Sequence, residues 1–280
     1  MKIACVSVLF RKYSFQKCLD ILSGLGYEYV ETEAMSPFCP HVNIDADDPI
    51  RFAKLVKESG IRQVTALWMA HGRIIAEPAS VETAVRSLEW CAAAGIPILH
   101  TGDGMKPDGM SGADAFSLLR ERLFPMIEAA ERTGVILALE PHGTFSLTGD
   151  GLRRIAGIST SPFFGINYDA ANIFRSTYVE NVQGSSFSYG KTAASGAKRE
   201  DELEVLEKIA DRVVNYHAKD VKDGECCALG DGSVKNDACI RLLKLHGYDR
   251  VLSVETDGNL SIEEETEIAR RGLETLKRYA

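Results

Sequence analysis

The chain has 280 residues, 45% of them hydrophobic, enough to bury one large core and too apolar for a disordered segment. Its net charge of -8 and sequence pI of about 5.4 exclude a dedicated nucleic-acid binder, because phosphate backbones demand a basic face. No apolar run approaches the ~20 residues of a membrane span, and seven scattered cysteines without a Cys-x-x-Cys pair fit reduced thiols in the cytoplasm.

In chain order, the first apolar run, residues 3–10, is preceded only by Lys2 and followed by Arg11 and Lys12, so it reads as a strand rather than a signal peptide. From there one junction recurs: a helical pattern, a glycine, then a short β-rich run. It appears around Gly24 and Gly26, then at Gly60, Gly95, Gly134 and Gly247. Each glycine ends a helix, because the residue after the last turn often adopts a left-handed conformation that glycine reaches without strain. Filling the gaps places strands at residues 3–9, 27–32, 62–68, 96–100, 135–140, 163–169, 212–217 and 250–255. Amphipathic stretches at residues 81–94, 113–132, 202–210 and 263–278 lie between or after them. Strands alternating with helices imply a parallel sheet, and eight units in one chain imply a single α/β domain over residues 1–280, a (β/α)8 TIM barrel.

The spacing has one irregularity. His217 lies 48 positions after Asp169, and the excess falls in residues 174–199, where small polar residues alternate with aromatics such as Phe187 and Tyr189. This predicts a long loop after the sixth strand, on the face where barrels place their chemistry. It is either a substrate lid or a contact within a homo-oligomer.

Glu140, Asp169, His217 and Glu255 each stand at the carboxyl end of a separate predicted strand, so a parallel barrel brings them to one mouth. Three carboxylates gathered there would repel and take up protons unless a cation compensates them. One divalent metal ion is therefore expected. Three oxygens and one imidazole suit Mn²⁺ first, with Mg²⁺, Co²⁺ and Zn²⁺ as alternatives. Against this stands the reading of each strand-end acid as a helix cap or a partner of Lys and Arg.

The segments Leu139-Glu140-Pro141-His142, Asn167-Tyr168-Asp169-Ala170-Ala171-Asn172, His217-Ala218-Lys219-Asp220, Leu229-Gly230-Asp231-Gly232, and Gly247-Tyr248-Asp249 with Ser253-Val254-Glu255 resemble the sugar phosphate isomerase/epimerase group of xylose isomerase-like TIM barrels. The resemblance spans nearly the whole chain and takes in ketose 3-epimerases and inosose isomerases. It implies that Glu140, Asp169, His217 and Glu255 bind one divalent metal, and that Glu140 and Glu255 flank the substrate as acid and base. Asn172 stands where ketose 3-epimerases carry a histidine, and no arginine after His217 matches their substrate-binding one.

The implied chemistry is proton transfer beside a carbonyl through an enediolate, acting on a sugar or polyol ketone. Epimerisation and aldose–ketose isomerisation share this ligand set. Two alternatives are a dehydratase that eliminates water from a keto-polyol at the same metal site and, more weakly, a DNA-repair enzyme like endonuclease IV. The second wants more strand-end histidines than six in the whole chain can supply, and a basic groove. His142, Asn172 and Lys219 are candidate substrate contacts, against capping, metal-supporting or salt-bridging roles, with Asp220 or Glu255 as the salt-bridge partner of Lys219. Trp68 and His100, at the ends of the third and fourth strands, offer an aromatic face for a sugar or simply barrel packing. Glu33, just past the second strand, carries the same ambiguity.

Overall fold

Eight parallel strands close into a barrel in this computed structural model. They are β1 (Lys2–Val6), β2 (Tyr29–Met35), β3 (Gln63–Trp68), β4 (Ile98–Gly104), β5 (Ile136–Gly143), β6 (Phe164–Asp169), β7 (Val213–Ala218) and β8 (Val251–Val254). Each pairs with its sequence neighbour, and β1 pairs with both β8 and β2 to close the ring. The structure describes residues 1–69, 73–181, 184–189 and 199–280, with residues 177–181 and 184–189 as backbone alone.

Helices α1 (Phe15–Leu25), α2 (Pro49–Glu58), α3 (Ala79–Ala94), α4 (Gly112–Thr133), α5 (Gly149–Ala156), α6 (Ala170–Arg175), α7 (Glu202–Glu207), α8 (Asn236–Leu245) and α9 (Ile262–Leu276) accompany the strands. Their starts are chemically marked. Ser14, Asp48, Ser111, Thr148, Asp169 and Asp201 each accept a backbone N–H of the helix they open, and Ser261 forms a capping box with Glu264. Gly26, Gly95 and Gly134 directly follow α1, α3 and α4 with φ of 91°, 74° and 71°, the left-handed ends expected from the repeated junction.

Two layers of apolar contact hold the barrel. The larger joins outward strand residues such as Leu99, Leu137, Leu139 and Leu252 to helix residues such as Leu88, Leu123 and Leu273. The smaller, Ala66, Ile98, Ala138 and Val214, is a separate cluster contributed by four strands. Two residues further along β3, β4 and β5 stand Trp68, His100 and Glu140, so period-two alternation carries the same face from apolar to polar toward the strand ends.

Several boundaries differ from expectation. β1 stops at Val6 and Ser7–Phe10 forms a 3-10 turn. β2 runs on to Met35, so Glu33 lies inside it, and β4 and β5 continue past His100 and Glu140. Of the segment expected as a loop, Phe174 and Arg175 complete α6. An antiparallel hairpin of Ser176–Asn181 and Gly184–Tyr189 follows. Residues 182–183 and 190–198 lie outside the described residues, as does the choice between lid and oligomer contact. Among the described residues no helix is long and apolar enough to cross a membrane.

Candidate metal centre and active site

At the carboxyl ends of the strands the register sets the acids level. Asp169 of β6 pairs with His217 of β7, which pairs in turn with Ser253 of β8, two residues before Glu255. Glu140, Asp169, His217 and Glu255 each bring one ligand atom into a group whose members lie within 4.8 Å of one another, and all four residues are buried.

His217 is aimed by its neighbours. Its Nε2 lies 2.7 Å from Glu31 Oε1, while Nδ1 lies 2.5 Å from Glu255 Oε2 and 3.6 Å from Glu140 Oε2. Glu31 is fully buried and also accepts from Asn215 Nδ2 at 3.0 Å and Ser253 Oγ at 2.6 Å, with His100 Nε2 at 2.8 Å. Glu140 is steadied at both oxygens: Asn172 Nδ2 donates to Oε1 at 3.1 Å, and Asn167 Nδ2 donates to Oε2 at 2.8 Å, with His100 Nδ1 at 3.1 Å. Lys219 Nζ sits between Asp169 Oδ2 at 2.9 Å and Glu255 Oε1 at 2.5 Å.

The acids are thus answered by cations within the protein. Burial favours the neutral acid, yet Lys219 and His217 outweigh it at Glu255 and hold that carboxyl below its ordinary range. At Glu140 burial is outweighed by His217 and His100. At Asp169 burial wins and the carboxyl is raised, despite Lys219. Burial opposes the charge on Lys219, but Asp169 and Glu255 raise its ammonium well above the usual range.

The donor set fits a divalent ion. Asp169 Oδ2, His217 Nδ1 and Glu255 Oε2 are buried and, among the described residues, make no hydrogen bond, although charged neighbours lie close. Such atoms are what a cation would satisfy. His217 presents Nδ1 to that space, and the carboxylate of Glu31 behind Nε2 is the arrangement that fixes the tautomer of a metal-binding histidine.

A cavity of about 260 Å³ opens over the cluster, lined by Glu33, Trp68, His100, Glu140, His142, Arg175, His217, Lys219, Glu255 and Asp257, with Val8, Met35 and Phe38 as an apolar wall. Two larger hollows, one beside Lys2 and Phe52 and one beside Pro162 and His246, contain none of the candidate ligands. Trp68 lies edge-on to His100 and to His142, with ring centroids 5.2 and 5.3 Å away.

Of the candidate contacts, Trp68, His100, His142 and Lys219 line this cavity. His142 is exposed there, and its backbone N–H is held by Ser146 Oγ. Asn172 instead lies buried behind Glu140, its backbone N–H donating to Asp169 Oδ1. Lys219 pairs with Asp169 and Glu255 rather than Asp220, whose carboxylate accepts the backbone N–H groups of Val221, Gly230, Gly232 and Val234. Glu31, Asn167, Asn215 and Arg175 were not anticipated. A signal for three of them exists: Asn167-Tyr168-Asp169 and Asn215-Tyr216-His217 repeat one pattern in register, and Glu31 is a charged residue in the middle of a parallel strand. Arg175 reaches the cavity from α6, donating to Asn172 Oδ1 at 2.9 Å and facing Asp257 Oδ2 at 3.6 Å.

A family model for the xylose isomerase-like TIM barrel matches residues 19–279. Solved structures of similar shape include a D-tagatose 3-epimerase-like protein, with a TM-score of 0.76, 17% identity, and coverage of 100% of this chain and 97% of that one. The IolI protein with a bound zinc atom gives 0.76 and 17%, covering 100% and 99%. The probable 3-DHS dehydratase AsbF from Bacillus anthracis gives 0.70 and 16%, covering 99% of each chain. At these identities the likeness is one of fold. A search of the curated proteins found no match.

Proposed function

Because the chain belongs to the xylose isomerase-like TIM-barrel family, we propose that it is a divalent-metal-dependent isomerase or epimerase of a sugar or polyol ketone. The observation that carries this reading is the convergence of Glu140, Asp169, His217 and Glu255 beneath a cavity of monosaccharide size. Mn²⁺ suits the oxygen-rich set, and the ion would polarise a carbonyl and its neighbouring hydroxyl.

The protein supplies the proton chemistry. Glu140 and Glu255 enter from different strands, β5 and the end of β8, and their carboxyls remove and return the hydrogen on the carbon beside the carbonyl. His100, Asn167 and Asn172 hold Glu140; Lys219 holds Glu255. Lys219 also keeps the charge of the cluster in balance. Trp68 and His142 offer rings at the mouth for the carbon face of a sugar. Buried free thiols at Cys5, Cys18, Cys39, Cys91 and Cys239 suit a reducing cytoplasm.

The test is exchange in deuterated water. The Mn²⁺-loaded protein incubated with a panel of ketoses, inososes and keto-glycosides should place solvent deuterium at a carbonyl-adjacent carbon of one of them, seen by proton NMR. Glu140→Gln and Glu255→Gln should each lose turnover by about a hundredfold or more. Loss of water, with a new enone absorbance, would assign a dehydratase instead. No exchange across the panel would refute the enediolate chemistry.

A further inference from the structure

The carboxyls lining the cavity are engaged, with one exception. Glu140 is held by His100, Asn167 and Asn172, Glu255 by Lys219, and Asp257 by Arg175 and Cys226. Glu33 is partly buried in the same cavity and has no hydrogen bond or ion pair from its side chain among the described residues. It stands in register with Trp68 on the adjacent strand. A partly buried carboxyl with no partner among the described residues is free to meet a ligand in the cavity. A carboxyl beside an aromatic ring can grip a sugar: the ring takes the carbon face while the oxygens accept hydroxyl protons.

The cations at the cavity point the same way. Lys219 is occupied by Asp169 and Glu255, and Arg175 by Asn172 and Asp257. The three ligand carboxylates are balanced by Lys219 and a divalent ion together, which leaves no net charge to attract an anion. A phosphate or carboxylate on the substrate would compete with these pairs. We propose that Glu33 binds the substrate's hydroxyls beside Trp68, and that the site selects an uncharged polyhydroxy ketone over its phosphorylated or carboxylated counterpart. This rests on the isomerase or epimerase reading and names the substrate class within it.

The experiment compares Mn²⁺-loaded wild type, Glu33→Ala and Glu33→Gln by calorimetric titration and steady-state kinetics. The ligands are the same ketoses, inososes and keto-glycosides, together with D-fructose 6-phosphate beside D-fructose. Glu33→Ala should weaken the best neutral ligand, and raise its KM, about tenfold to a hundredfold, the effect of losing a hydrogen bond to a carboxylate. Metal content should be unchanged and Tm equal or higher, because the carboxyl has no partner among the described residues to lose. Glu33→Gln should recover part of the affinity. Unchanged KM and affinity in an active Glu33→Ala, a loss of metal or a fall in Tm there, or tighter binding of the phosphate ester would overturn the inference alone. A wild type that binds and exchanges nothing overturns the isomerase reading as well.

Discussion

Glu31 meets four side chains at the site, yet it is not among the proposed ligands. Its two oxygens meet His217, His100, Asn215 and Ser253, which come from three other strands. A carboxylate behind a metal-binding imidazole fixes which nitrogen faces the ion and raises its basicity. Glu31→Gln should therefore lower Mn²⁺ affinity about tenfold to a hundredfold with all four ligands intact. A metal titration that finds wild-type affinity in this variant would sink the assignment. In sequence, Glu31 and Glu33 look alike, two acids spaced by one residue; burial and partners separate them, since Glu31 is fully enclosed among four side chains and Glu33 only partly buried.

At the scale of elements, the loop after β5 is clasped to β4. Asp103 accepts Phe145 N–H at 2.7 Å, Ser146 N–H at 3.3 Å and Ser146 Oγ–H at 2.5 Å, and Ser146 Oγ in turn holds the backbone of His142 at the cavity mouth. Gly143 is required there, because a Cβ at that position would lie 2.2 Å from Asp103 Oδ1. Burial raises the Asp103 carboxyl from 3.8 to about 6 in spite of these bonds. The folded state thus holds its proton more tightly than the unfolded chain. The stability this contributes is complete below pH 4 and is lost as pH rises to about 6. Asp103→Asn should be less stable at pH 4, and its deficit relative to wild type should shrink by up to about 3 kcal/mol by pH 7. Denaturant unfolding at both pH values measures this, and a deficit independent of pH would count against it. Asp220 plays a comparable part after β7, where four backbone N–H groups fold around its carboxylate and a Cβ at Gly232 would lie 2.0 Å from Oδ1. The Leu229-Gly230-Asp231-Gly232 motif is thus a structural turn.

For the whole molecule, ligands from β5, β6, β7 and the end of β8 mean that a bound ion would tie together half of the barrel. An ion that binds the folded chain and not the unfolded one stabilises it by mass action, about 2.7 kcal/mol at a hundred times Kd. Mn²⁺ should accordingly raise Tm by about 5 °C or more, and a chelator should reverse the rise. Asp169→Asn should show little of it, with reduced metal by elemental analysis. Equal shifts in wild type and Asp169→Asn would place the ion elsewhere.

The sequence by itself determined the barrel and the candidate ligands. Its helix-ending glycines and strand-length apolar runs are local signals, and residues at the ends of parallel strands share one mouth whatever packs around them. Only the tertiary structure decided how those residues are held. That Lys219 turns to Asp169 and Glu255 while Asp220 caps a turn, that Asn172 supports Glu140, and that Glu31 reaches His217 are outcomes of strand register and side-chain geometry. Residues 31 and 217 are far apart in the chain and meet because barrel closure brings β2 and β7 across a shared interior. No local pattern encodes that meeting, because it depends on the tilt and stagger of all eight strands at once.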